Sequence, residues 1–189
     1  MIKITKSLIS LLIVDIVYLI IFSVIFLKRG NIEFMIYTGA VFFLLIVILL
    51  LHLKFNFSYI TLMGLSLIGL MHMIGGGVIV NGLRMYGHYI VLGIIRYDKI
   101  VHFLGIFFAV FIFYELIKKN KINKIALSII LFLAGVGIGT VWEIMEFILV
   151  TILPETGVGG YVNTMGDIVA NSIGAIAAVF FIYLNKKNN

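Results

Sequence analysis

The sequence predicts an all-α protein: a polytopic bundle of about six transmembrane helices with both termini in the cytoplasm. Three observations lead there. Of 189 residues, 63% are hydrophobic and only 12% charged, and the mean hydropathy is +1.24, far from the balance of a soluble globular chain. Apolar runs long enough to cross a bilayer recur along the length. The basic residues gather at the ends of those runs, the bias that orients membrane proteins.

The runs are 8–27, 33–52, 57–80, 98–117, 124–152 and 164–184. The first follows Lys3 and Lys6, as a signal peptide would. It is too long for a signal core, however, and ends in Lys28-Arg29 with no small-residue cleavage pattern, so a retained span is expected. The fifth run has 29 residues and is long enough to tilt, or to break at Gly135-Val136-Gly137-Ile138-Gly139. Residues 81–97, rich in Gly, Tyr and Arg, are short for a span and read as an interfacial or re-entrant loop. Spans and connections use nearly the whole chain, so one integral-membrane domain, 1–189, in the plasma membrane is expected.

Composition also excludes. The formal charge of +6 is spread over span ends, which argues against nucleic acid. The chain has no cysteine, so a disulfide scaffold, a thiolate metal site and a cysteine nucleophile are ruled out. A zinc-protease helix motif, a nucleophile elbow and a phosphate-binding loop are all absent, and the glycines at 135–139 follow no strand.

Orientation follows from the Lys and Arg count. With the amino terminus inside, Lys3, Lys6, Lys54, Lys118, Lys119, Lys121, Lys124, Lys186 and Lys187 are cytoplasmic, nine in all. Lys28, Arg29, Arg84, Arg96 and Lys99, five, lie outside. At ~1.5 Å per helical residue, spans three to six then each carry polar side chains into one outer layer: His72, Asp98 with His102, Glu143 with Glu146, and Asp167 with Asn171.

Ionisable groups in a span are costly and mark function by default. Asp98 and His102 share a helix face at four-residue spacing, fit for a general base with its orienter, a proton relay or metal ligands. The bland alternative is that Asp98 caps the fourth span and His102 bonds a neighbouring helix. Glu143 and Glu146, in Trp142-Glu143-Ile144-Met145-Glu146-Phe147, need a metal ion, a proton or a basic side chain, since two anions in low dielectric repel. Arg84, Arg96 and Lys99, in the loop on that side, could serve them as salt-bridge partners.

Asp167 and Asn171 repeat the four-residue spacing, beside the competing reading that Thr164 and Asp167 form a capping box. Gly166, Ala170, Gly174 and Ala178 form a small-residue ridge for close helix approach. His72 precedes Gly75-Gly76-Gly77, expected to weaken its helix and free backbone groups around a cavity. His52 and Glu115, near cytoplasmic ends, are expected to snorkel. Asp15, in the inner half of span one, has no partner in sequence and no assigned role.

The order Asp98-Lys99-x-x-His102-Phe103, a glutamate late in the next span, then Asp167-x-x-x-Asn171-x-x-Gly174 resembles the VanZ-like membrane proteins. The His72-Met73-Ile74-Gly75-Gly76-Gly77 stretch and Trp142-Glu143-x-x-Glu146-Phe147 are more similar to the YjdF-type group of bacterial membrane proteins. The resemblance covers residues 70–184. It implies that Asp98, His102, Glu143 or Glu146, Asp167 and Asn171 are the polar site positions, and it carries a link to glycopeptide (teicoplanin) resistance. The VanZ-like pattern follows its glutamate with Gln and a basic residue. Here Glu146 takes the Gln place and no Lys or Arg lies between Ile144 and Asn185, so if that basic residue binds an anionic substrate in the family, Arg84, Arg96 or Lys99 would have to do so here.

Three readings follow. One is a hydrolase of a lipid-linked or amphipathic cell-envelope molecule. Its divalent metal would sit among His72, His102, Glu143, Glu146 and Asp167, and Asp98, His102, Glu143, Glu146, Asp167 and Asn171 would share the catalysis. Another is a lipid- or ion-binding or proton-coupled transport protein. In the third, the polar groups only fix the bundle.

Overall fold

The computed structural model describes residues 5–91 and 93–185; Lys3, Lys186 and Lys187, used in the charge count, lie outside them. Among the described residues, six helices are long and apolar enough to cross a membrane: α1 (Lys6–Lys28), α2 (Ile32–Phe55), α3 (Tyr59–Gly77), α4 (Tyr97–Ile117), α5 (Lys124–Ile152) and α6 (Tyr161–Asn185). The fold is therefore an all-α polytopic bundle. Four starts are closed by side chains: Thr5 accepts from the Leu8 amide, Asn31 from Phe34, Ser58 from Thr61 and Asn123 from Ala126. Such caps satisfy amides that have no partner within the helix.

The chain divides into two compact units, Met1–Tyr97 and Asp98–Asn189. In the first, α1 packs on α2 and α3 around Tyr18, Leu19, Phe22, Phe26, Phe34, Tyr37, Leu62 and Met73. In the second, Ile106 and Val110 of α4, Leu127 and Leu131 of α5, and Ala175, Ala178 and Ile182 of α6 form the core.

Both units invert the pattern of a soluble bundle. On α1, Ile9, Ile13, Val14, Ile16, Val17, Ile20 and Ile21 are exposed while Asp15 is buried. On α6, Val169, Ile173 and Ile176 are exposed while Asp167 and Asn171 are buried. An apolar outside around a polar inside is stable where the solvent is lipid.

Several local expectations are corrected. The segment after α3, expected as an interfacial or re-entrant loop, holds two short hairpins: β1 (Ile79–Val80) pairs antiparallel with β2 (Leu83–Arg84), and after a 3₁₀ turn at Met85–Gly87, β3 (Tyr89–Val91) pairs with β4 (Ile95–Arg96). The first hairpin turns on Asn81 and Gly82, both at positive φ (49° and 79°), the Asn-Gly chemistry of a two-residue turn. His88 Nε2 lies 3.0 Å from the Val80 carbonyl oxygen and ties the second hairpin to the first.

Helix α3 stays regular through Gly75-Gly76-Gly77, because those glycines are contact points rather than a weakness. A Cβ on Gly75 would strike the Tyr86 ring, one on Gly76 the Phe34 ring and one on Gly77 the Phe22 ring. Helix α5 is likewise unbroken across Gly135 and Gly139. His52 and Glu115 do not snorkel: both are buried, His52 beside Phe57 and Glu115 within 3.7 Å of Lys118.

Candidate functional site

The site lies in the second unit and is built from one end of each of its helices. Asp98, Lys99 and His102 occupy the first two turns of α4, Glu143 the later half of α5, and Asp167 and Asn171 the early turns of α6. Helices α4 and α6 begin where α5 is well past its middle, so alternating direction delivers all six side chains to one level. Close approach is arranged by small residues. Gly174 faces the Phe103 carbonyl of α4, Gly139 the Asn171 side chain, and Gly135 the side chains of Val110 and Ala175.

Helix α6 starts at Tyr161, three residues before Thr164, and the Thr164 amide bonds the Gly160 carbonyl. Thr164 is thus inside the helix, and the capping-box reading is lost. Asp98 likewise lies inside α4 and turns its carboxylate to side chains instead of capping.

His102 is the hub. Its Nε2 lies 3.6 Å from Asp98 Oδ1 and 3.4 Å from Asp167 Oδ1; its Nδ1 lies 3.4 Å from Glu143 Oε1 and 3.3 Å from Asn171 Oδ1. Every one of those neighbours is an acceptor. A neutral imidazole has one N–H and one lone pair, so it satisfies only one side of this arrangement. The other side calls for a second proton or a metal ion.

Lys99 is the built-in cation. Its Nζ donates to Asp167 Oδ1 at 2.6 Å, to Asp98 Oδ2 at 3.1 Å, and to the carbonyl and Oδ1 of Asn163 at 3.0 Å each. Asn163 Nδ2 in turn donates to Asp167 Oδ2 at 2.8 Å. Asp98 and Asp167 therefore share one ammonium, while the third carboxylate, Glu143, faces His102 and Asn171. With all three carboxylates ionised, the cluster would carry two excess negative charges around a neutral imidazole and one around an imidazolium. Asp167 is fully buried, and Asp98, His102, Glu143 and Asn171 are each below a tenth exposed. Excess charge so far from water demands a counter-ion or protons.

Asp98, His102 and Asp167 each offer a ligand atom, all within 4.8 Å of one another. The 3.4 and 3.6 Å separations from His102 Nε2 are long for hydrogen bonds. They match the ~3.4 Å between neighbouring ligands of a tetrahedral ion bound at ~2.1 Å. Glu143 completes the environment: Asn171 Nδ2 reaches its Oε1 at 3.4 Å, while its Oε2 is buried with no hydrogen-bond partner.

Of the remaining sequence candidates, Glu146 stays at the edge of the cluster: its Oε1 accepts from Trp142 Nε1 at 2.9 Å, and the charges of Glu143, Asp167 and Asp98 reach it. Residues three apart on a helix diverge by about 60°, enough to send the two carboxylates to different partners. His72 belongs to the first unit, where its Nδ1 bonds the Tyr86 hydroxyl and its ring stands edge-on to Tyr37. Arg84 is taken by buried Glu33 at 2.7 Å and lies over the Phe34 ring. Arg96 is paired with Tyr89 across the second hairpin. Asn163 escaped the sequence reading, and its one signal is its four-residue spacing from Asp167.

Fold and site together define a multi-pass integral membrane protein with a buried carboxylate–histidine–lysine cluster in its last three spans. The chain belongs to the family described as "Predicted membrane protein (DUF2238)", whose profile matches residues 9–188. It is similar to a protein of Thermotoga maritima described as "Uncharacterized protein", 33% identical over 94 residues, which is 48% of this chain. The match spans about half of that relative as well, 49% of its length. No solved structure matches the chain.

Proposed function

We propose that Asp98, His102 and Asp167 hold a divalent cation, and that the protein is a metal-dependent hydrolase of a lipid-linked or amphipathic cell-envelope molecule. The observation that carries this reading is the imidazole with acceptors at both nitrogens in a cluster of excess negative charge. A bound ion would supply a polarised water. Glu143, with one oxygen held by Asn171 and the other without a hydrogen-bond partner, would be the carboxylate to accept a proton. Glu143 and Asn171 would also fix the His102 ring from its Nδ1 side, as outer partners of a ligating histidine do. Lys99 would be the cation to face an anionic group of the substrate.

The resemblance of Asp98-Lys99-x-x-His102 and Asp167-x-x-x-Asn171 to VanZ-like proteins supports the cell-envelope setting and, with it, a link to glycopeptide resistance. Both termini are proposed to be cytoplasmic and the chain to act as a single plasma-membrane domain, with the cluster on the outer side.

One observation favours a second reading. Lys99 at 2.6 Å from Asp167 already neutralises part of the cluster, as in a proton relay of a transport or lipid-binding protein. Elemental mass spectrometry of detergent-purified protein, after exposure to zinc, manganese, magnesium or calcium and desalting, separates the two. The hydrolase reading expects about one ion per chain, lost in Asp167→Asn. Metal-free wild-type protein would leave the proton relay.

A further inference from the structure

The first unit carries a second buried carboxylate that the cluster around His102 does not use. Asp15 is the tenth residue of α1, about 14 Å from the start of the helix and so near the middle of a bilayer. It is 2% exposed. The Ser66 hydroxyl of α3 donates to its Oδ1, and the Tyr18 hydroxyl, one turn further along α1, also donates to the carboxylate. Tyr18 reaches this place because Gly69, three residues after Ser66, has no side chain; a Cβ there would fall on the Tyr18 hydroxyl.

Among the described residues, the stretches of α1, α2 and α3 level with Asp15 hold no cation. Helix α1 has no Lys, Arg or His between Ser7 and Leu27, nor has α2 between Gly39 and Leu51, nor α3 between Thr61 and Met71. These are the helices packed in this unit, and Tyr18 is the only other titratable side chain in those stretches. An anion held there by two hydroxyls alone is costly. Hydroxyls, however, serve either protonation state. Both donate to a carboxylate, and either turns to accept when the carboxyl carries a proton.

A purely structural link between α1 and α3 would be made as well by an asparagine, at a lower desolvation cost. An aspartate flanked by two reversible partners is suited to taking and giving up a proton.

We infer that Asp15, with Ser66 and Tyr18, is a proton-binding site inside the membrane, whose carboxyl exchanges its proton while both helices stay packed. The proposal does not depend on a metal at His102.

Dicyclohexylcarbodiimide tests it, since this lipid-soluble reagent adds to protonated carboxyls within a bilayer. Full-length protein in liposomes would be treated at a series of pH values and the adduct located by peptide mass mapping. The expected result is an adduct on Asp15 that falls about tenfold or more from the acid to the alkaline end of the series, while the protein remains folded by circular dichroism. No adduct on Asp15 at any pH overturns the proposal, and so does an adduct independent of pH, which would mark a permanently neutral packing group. Asp15→Asn, which keeps the hydrogen bonds to both hydroxyls, should fold and lose this adduct alone. If that variant fails to fold, mapping the wild-type protein decides.

Discussion

At the scale of single residues, the burial of each partner decides what an ion pair is worth. Lys99 and Asp167 are 21% and 1% exposed in their side chains, and Lys99 also serves Asp98. Lys99→Met leaves two buried carboxylates without their ammonium and should cost about 3–5 kcal/mol, the usual result of breaking a buried pair from one side. A double-mutant cycle checks the cause. In the Lys99→Met background, Asp167→Asn should cost less than in the wild type, because the stranded charge has gone. Equal costs in both backgrounds would mean that the two side chains do not act as a pair. Arg84 and Glu33 make a contact of similar length, but Arg84 is 35% exposed. Solvent screening then reduces the expected loss for Arg84→Met to about 1 kcal/mol. Thermal unfolding in one detergent, with both variants side by side, should show that order.

At the scale of elements, the glycines separate what patterning reveals from what only packing shows. The ridge of Gly166, Ala170, Gly174 and Ala178 was legible, because four-residue spacing on an apolar helix has one simple use. The run Gly75-Gly76-Gly77 was not. Low helix propensity suggests a break, and only three aromatic rings brought from α1, α2 and the hairpin segment make the glycines necessary. A graded set of alanines tests this. At Gly174 the new methyl meets the Phe103 backbone carbonyl, which cannot rotate away, so Gly174→Ala should be the most harmful. At Gly76 it meets the Phe34 ring, which can move in part, and about 1–3 kcal/mol is expected. At Gly137 nothing lies within 4 Å, so Gly137→Ala should be neutral or stabilising by up to about 1 kcal/mol. A Gly137→Ala as damaging as Gly174→Ala would refute the packing account. The candidate site divides in the same way: four-residue spacings exposed Asp98 with His102 and Asp167 with Asn171. The contacts of Lys99 with Asn163 and Asp167 cross from α4 to α6, at distances that no single helix encodes, whereas the bonds from Trp142 to Glu146 and from Asn163 to Asp167 repeat the four-residue spacing and went unread.

At the scale of the whole molecule, hydropathy and length made the spans legible because lipid permits so few alternatives. A polar backbone in hydrocarbon must be helical here, so six apolar runs became six helices with ends shifted by a few residues. The hairpins at 79–96 were missed because short strands outside the apolar runs carry only a turn signal, Asn81-Gly82. Orientation rests on loop charge alone and has a direct test. The connection between α4 and α5 holds Lys118, Lys119 and Lys121, whereas that between α5 and α6 has no basic residue. A basic loop is retained on the cytoplasmic side and an uncharged or acidic one crosses readily. Because the chain has no cysteine, single replacements report position without background. In intact cells a membrane-impermeant maleimide should label Thr156→Cys within minutes and leave Lys121→Cys unlabelled until the membrane is opened. The end of α5 beyond Glu143 leads into the Thr156 loop, so this result would also put the His102 cluster in the half of the membrane nearer the outside, within reach of envelope substrates. The reverse labelling would turn the cluster to the cytoplasm and remove the argument for an extracytoplasmic substrate.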